Sequence, residues 1–261
     1  MLDLIFTGVD TMTVFDCSTG AYKFTLDELQ NVTIANGQES SDVVGARGRK
    51  LSTLKRNKTC TVSGASGIVS GGLLEAQTGG TASNTTTKVM WTDYLTVSSG
   101  AAATSYKAVG TAGAEIIALY IRNSDGSLGT KLTQDSTAAA GKFTYAPGTK
   151  ALGFYSDVAD KTDIVVVYER QILADVLAND TTKFSAKATV YVDGTAEDKC
   201  GNVYRVQFYF PKVDFSGEFS LEMGDDQTVH NFEAEALAGA CGLGGNLWTY
   251  TVFGANTADA A

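Results

Sequence analysis

From Val213 to Met223, apolar and polar residues alternate without a break. Val213, Phe215, Gly217, Phe219, Leu221 and Met223 interleave with Asp214, Ser216, Glu218, Ser220 and Glu222. A period of two predicts a strand with one apolar and one acidic face. Shorter runs rich in Val, Ile, Thr, Tyr and Phe predict further strands over Thr11 to Phe15, Leu29 to Ala35, Lys58 to Ser63, Ile116 to Arg122, Lys142 to Ala146 and Ala151 to Tyr155. Downstream, the same reasoning gives strands over Asp163 to Arg170, Ser185 to Val192, Val203 to Phe210, Val229 to Leu237 and Leu247 to Phe253. Glycine, present 28 times against two prolines, punctuates most of these runs.

Helical spacing is confined to two places. Ser70 to Thr78 carries Leu73, Leu74 and Gln77 at helical intervals and runs into Gly79-Gly80, a C-capping pair. Ile172 to Leu177 reads as a shorter helix or a turn. Asn123-Ser124-Asp125-Gly126 has the form of a hairpin tip, and Val97 to Gly113, rich in Ser, Ala, Gly and Thr, that of a loop or insertion. The expected fold is therefore all-β with minor α: a β-sandwich or half-barrel with a short flanking helix and an extended inter-strand loop. With no internal repeat and no linker, residues 1–261 are read as a single domain, within which 97–155 form an elaboration or insert.

Charge changes this picture because it is segregated. Residues 47–58 hold six cations, Arg47, Arg49, Lys50, Lys55, Arg56 and Lys58, and no acid. Residues 213–240 hold seven acids, Asp214, Glu218, Glu222, Asp225, Asp226, Glu233 and Glu235, and no Lys or Arg. Such poles suit head-to-tail assembly, in which one surface of a subunit meets a different surface of the next; two solvated patches on a monomer remain the other reading. The formal charge of −9 argues against a general nucleic-acid-binding surface.

Catalytic chemistry finds little footing. On an extended strand Asp214, Glu218 and Glu222 lie about 13 Å apart in succession, too far for a glycosidase pair at about 5 to 9.5 Å. His230 is the only histidine, no nucleophile elbow surrounds it, and it shares a strand face with Phe232, Ala234 and Ala236, which marks it as a packed or interface residue. The glycine clusters lack the Lys-Ser/Thr of a phosphate loop, and Gly224-Asp225-Asp226-Gln227 reads as a turn, lacking the spaced ligands of a calcium loop. Cys17, Cys60, Cys200 and Cys241 match no zinc spacing and read as ordinary thiols. No catalytic, cofactor or metal site is expected. The N-terminus does not resemble a secretory signal and no segment is apolar enough to span a membrane, so a soluble protein made in the cytoplasm is expected.

Several stretches resemble the major tail (tail tube) proteins of tailed bacteriophages. They are Asn36-Gly37-Gln38-Glu39, Gly48-Arg49-Lys50-Leu51, Leu54 to Lys58, Val62-Ser63-Gly64 and Gly71 to Gly79, followed near the end by Phe210-Pro211-Lys212-Val213, Gly224 to Phe232, Ala234 to Leu237 and Leu247-Trp248. Together they cover roughly half of the chain. The resemblance implies a virion protein forming hexameric rings that stack head to tail into the tube through which the genome leaves, assembled in the host cytoplasm with itself and other tail proteins. It further implies that Gln38 to Lys58 is a loop bridging adjacent rings, its Arg47, Arg49, Lys50, Lys55, Arg56 and Lys58 meeting an acidic surface that includes Asp225 and Asp226. On this reading Asp214, Glu218 and Glu222 line the lumen or a subunit interface, and DNA passes without adhering. The alternatives are another virion component, such as a capsid decoration or tail terminator protein, and an enzyme or carbohydrate-binding β-sandwich.

Overall fold

The computed structural model describes residues 3–222, 229–238 and 245–254. These residues are mostly strand, with sixteen β-strands and one α-helix, and the chain divides into two compact units, Met1–Ala82 with Leu177–Ala261, and Ser83–Val176.

The first unit contains β1 (Leu4–Asp16), β2 (Tyr22–Leu26), β3 (Leu29–Val44), β4 (Lys50–Ser66) and helix α1 (Gly71–Thr78). The second contains β5 (Ser83–Thr96), β6 (Ala101–Ala103), β7 (Ile116–Arg122), β8 (Leu128–Gln134), β9 (Lys142–Ala146), β10 (Ala151–Phe154) and β11 (Asp163–Val176). The chain then returns to the first unit as β12 (Lys187–Asp198), β13 (Val203–Phe215), β14 (Leu221–Glu222), β15 (Val229–Ala236) and β16 (Thr249–Gly254).

In the first unit the strands follow the order β2-β1-β12-β13-β15-β4-β3, with β14 on β15 and β16 on β13. Register shifts in β1 on either side of Gly8 and Val9, and in the β12–β13 pair after Ala188, add local twist. The sheet curls into a half-barrel, bringing β3 against β1. Alternation then places Met12, Val14, Val190, Phe210 and Val62 on the inside, where they pack with Leu73 and Ala76 of α1. Burying side chains of this size contributes about 1.5–3 kcal/mol each.

Helix α1 is short and held at both ends. The Ser70 hydroxyl accepts the Leu73 N–H, and Gly79 closes the helix at φ 68°, its N–H donating to Glu75 O. A Cβ at Gly79 would collide with the Phe184 carbonyl, so only glycine fits this close approach.

The second unit orders its strands β5-β11-β7-β8-β9-β10-β6, and β8 and β9 share only two parallel pairs. Its core, with Leu119, Ile164, Val166 and Tyr168 against Phe143 and Leu152, is separate from that of the first unit. Beside it sits a buried carboxylate. Asp93 accepts from Trp91 Nε1 at 2.9 Å, Ser105 N at 2.7 Å, Ser105 Oγ at 2.8 Å and Tyr168 Oη at 2.8 Å. Burial works against its charge, but the Ser105, Tyr168 and Trp91 donors outweigh it and hold the carboxyl below its ordinary range. Burial and the nearby Asp93 push the Tyr168 hydroxyl up to about 12.

Two expectations need correction. Residues 213–223 are not one strand: β13 ends at Phe215, and regular pairing resumes only at Leu221. Phe215 faces Ala234 and Leu221 faces His230, so the chain takes six steps where β15 takes four, and two surplus residues are pushed out. Ser216 and Gly217 supply the turn, with Ser216 Oγ accepting the Glu218 N–H at 3.1 Å. Ile172–Leu177 is not helical: residues through Val176 continue β11, paired with β5 from Asp163↔Thr96 to Val176↔Ser83. A threonine-rich partner, Ser83–Thr87, supplies that ladder and overrides the local pattern. The strands β2, β5, β6 and β8, absent from the pattern reading, are short or largely exposed.

Candidate assembly surfaces

The basic segment is a two-stranded arm. Strand β4 pairs with β15 only from Thr61 to Ser66, whereas β3 and β4 stay paired with each other out to Val44↔Lys50. Beyond Asn36↔Cys60 the ribbon therefore has no third strand, and at about 3.3 Å per residue it extends about 25 Å to its tip. Asn57, bulged at φ 49°, twists the arm, and Arg47 and Gly48, at φ 68° and 73°, turn its end. Almost all of it is exposed, including the aliphatic side chains of Val43, Val44, Leu51 and Leu54. An isolated hairpin of this kind is marginal in water.

Its charges are mostly uncompensated. Lys50 pairs with Asp42 at 2.7 Å and Arg56 reaches Ser41 Oγ at 3.4 Å, while Asn57 donates to Glu39 at 2.6 Å. Arg47, Arg49, Lys55 and Lys58 make no ion pair among the described residues.

The acidic positions are arranged differently from the sequence expectation. Asp214 is on β13, whereas Glu218 lies in the irregular segment and Glu222 on β14, so the three do not share a strand. Asp225 and Asp226 lie outside the described residues. The structure instead brings Asp214 to Glu235, directly opposite across β13 and β15, with Glu233 two residues further along the same face. These three line a shallow hollow of about 340 Å³ with Ser185 and Ser216. Lys187 is the register neighbour of Asp214 on the other side, yet none of the three acids makes an ion pair among the described residues. Like charges facing each other across strands are destabilising. The signal for Glu233 and Glu235 was present in the polar face of β15; their proximity to Asp214 depends on strand order, which periodicity does not encode.

His230 is fully buried and structural. Gln77 of α1 donates from Nε2 to Asn231 O at 2.9 Å, which leaves its Oε1 to accept from His230 Nε2 at 2.8 Å. The proton therefore sits on Nε2, and Nδ1 is buried with no hydrogen-bond partner among the described residues. Desolvation holds the imidazole below its usual pKa, neutral at pH 7.

No helix among the described residues is long and apolar enough to cross a membrane. Comparison with curated proteins finds no matching sequence. A sequence profile of the YomU/Tube protein family, by contrast, matches residues 5–245. That match spans both units, the arm and the acidic hollow; the chain belongs to the YomU/Tube protein family, the structural tube proteins of phage tails.

Proposed function

We propose that this chain is the repeating subunit of the tail tube: it closes into hexameric rings that stack head to tail, and the lumen carries DNA during ejection. The observation that carries this reading is the β3–β4 arm, a long exposed ribbon with unpaired cations and aliphatic side chains and no support from its own sheet. A neighbouring copy would supply the missing contacts, and family membership makes self-assembly the natural source. Such contacts bind one surface to a different one, which propagates the assembly along an axis.

The unpaired carboxylates Asp214, Glu233 and Glu235, with Glu218 and Glu222 nearby in sequence, are assigned to the lumen. Within a Debye length of about 8–10 Å they repel passing phosphates, so DNA slides without adhering. Other tail proteins cap and initiate the tube.

Negative-stain electron microscopy over a concentration series tests the proposal. Stacked rings of six with a central hole are expected, and discrete closed oligomers of another symmetry would overturn it.

A further inference from the structure

The buried His230 ring has three neighbours that are held very differently. Gln77 of α1 meets its Nε2, Ser66 of β4 stands opposite it in register, and residues 216–222 lie along its remaining side, with the Phe219 ring at 5.9 Å and Leu221 as its register partner. Strand β4 stays paired with β15 from His230↔Ser66 to Glu235↔Thr61, and α1 is capped at both ends with Leu73 and Ala76 in the core. Residues 216–222 have only the register pairs Leu221↔His230 and Glu222↔Val229. Their other hydrogen bonds to β15 are Ser216 N to Glu233 O at 2.8 Å, Asn231 Nδ2 to Ser220 Oγ at 2.9 Å and a long one, Asn231 N to Ser220 O at 3.5 Å. Gly217, Glu218, Ser220 and Glu222 are exposed. A segment held by so little opens at far lower cost than the whole unit.

The ring supplies a reason for it to open. Nδ1 is buried without a partner, and no charged group stands ready to receive a second proton there. The charged side chains of the surrounding elements are Glu75 on α1, Glu218 and Glu222 on the covering segment, and Glu233 and Glu235 on β15; residues 61–66 of β4 carry none. Among the described residues the ring bonds to Gln77 alone and forms no ion pair. A proton on Nδ1 therefore needs water, and the covering segment is the neighbour that yields most cheaply.

We infer that residues 216–222 are an acid-released flap, displaced from β15 when His230 takes its second proton. The event is local: α1, β4 and the core strands stay in place, while Phe219, Leu221 and the edge of β15 at Val229 and His230 meet water. Linkage sets its size. With the flap open the ring protonates near its ordinary pKa of 6.5, and with the flap closed it stays neutral, so the open population should rise about tenfold from pH 7.5 to pH 5.5.

The test is hydrogen exchange read by mass spectrometry at these two pH values, without denaturant and corrected for intrinsic exchange rates, on wild-type protein and His230→Gln. In the wild type, peptides 216–222 and 229–232 should show the tenfold gain in opening and exchange faster than peptide 190–196 from the middle of β12. The gain should vanish in His230→Gln. An equal gain in the variant would assign the opening to carboxylates and overturn the proposal. Flap exchange no faster than that of 190–196 would make the opening global and overturn it as well. A second measurement needs no variant, because His230 is the only histidine and its imidazole proton resonances are unambiguous. In unassembled wild-type protein they should keep the neutral position down to pH 5.5; a titration midpoint at or above 6.5 would show that the closed flap does not exclude the proton.

Discussion

His230 and Asp93 are the two buried polar side chains on which single substitutions should read most clearly. The His230 ring is neutral in the folded protein because it is fully desolvated and a second proton on Nδ1 would find no acceptor among the described residues. In the unfolded chain the same ring protonates near its ordinary pKa of 6.5. As pH falls below about 6.5 the unfolded state therefore binds a proton that the native state refuses, and stability drops. With one histidine in the chain, denaturant midpoints at pH 7.5 and 5.5 isolate the effect: the wild-type loss across this window should be much smaller in His230→Gln. An equal loss in both proteins would assign the slope to carboxylates. Asp93→Ala removes the acceptor shared by Trp91, Ser105 and Tyr168; Trp91 and Ser105 are exposed enough to turn to water, but the Tyr168 hydroxyl is fully buried, and a buried donor left unsatisfied costs about 1–3 kcal/mol. Calorimetry should show the second unit destabilised by about 1–3 kcal/mol, with the first unit's transition unmoved. The sequence predicted the inward direction of His230 correctly, since it shares a face with Phe232, Ala234 and Ala236. Its Gln77 partner was invisible because the two lie 153 residues apart.

Among the elements, those whose burial follows from period two were legible: β7 and β9 coincide with their predicted spans, and α1 has the predicted cap at Gly79. Where pairing with a distant partner decides, pattern alone misled. The alternation of residues 213–223 is intact, yet β15 accommodates only part of it; β11 outruns its apolar segment because β5 is there to pair with it. The arm was visible as charge, but its unsupported ribbon follows from β4 leaving β15 at Thr61, a fact of strand order. Gly37 and Thr59 face each other at its base, so an Asn-Gly turn can replace residues 38–58 there. The shortened protein should keep the wild-type melting temperature to within a few degrees, because the deleted residues bury almost nothing, and it should form no tubes in electron micrographs. Tubes from the armless protein would rule out the arm as connector.

For the whole molecule, the two cores share no residue, and the chain passes between units at Ala82–Ser83 and Val176–Leu177. We propose that the second unit is an insertion in a tube-forming first unit. Replacing residues 83–176 by a short Gly-Ser linker should leave a protein with the first unit's cooperative transition and its ability to assemble; loss of the folded first unit, measured by circular dichroism, would contradict that organisation. The register Ser83↔Val176 places entry and exit side by side on two neighbouring strands. A joint of that kind works as a socket. Any small domain whose ends meet at a strand pair could be coded in at one point of the gene, giving each subunit a new appendage without retuning the half-barrel.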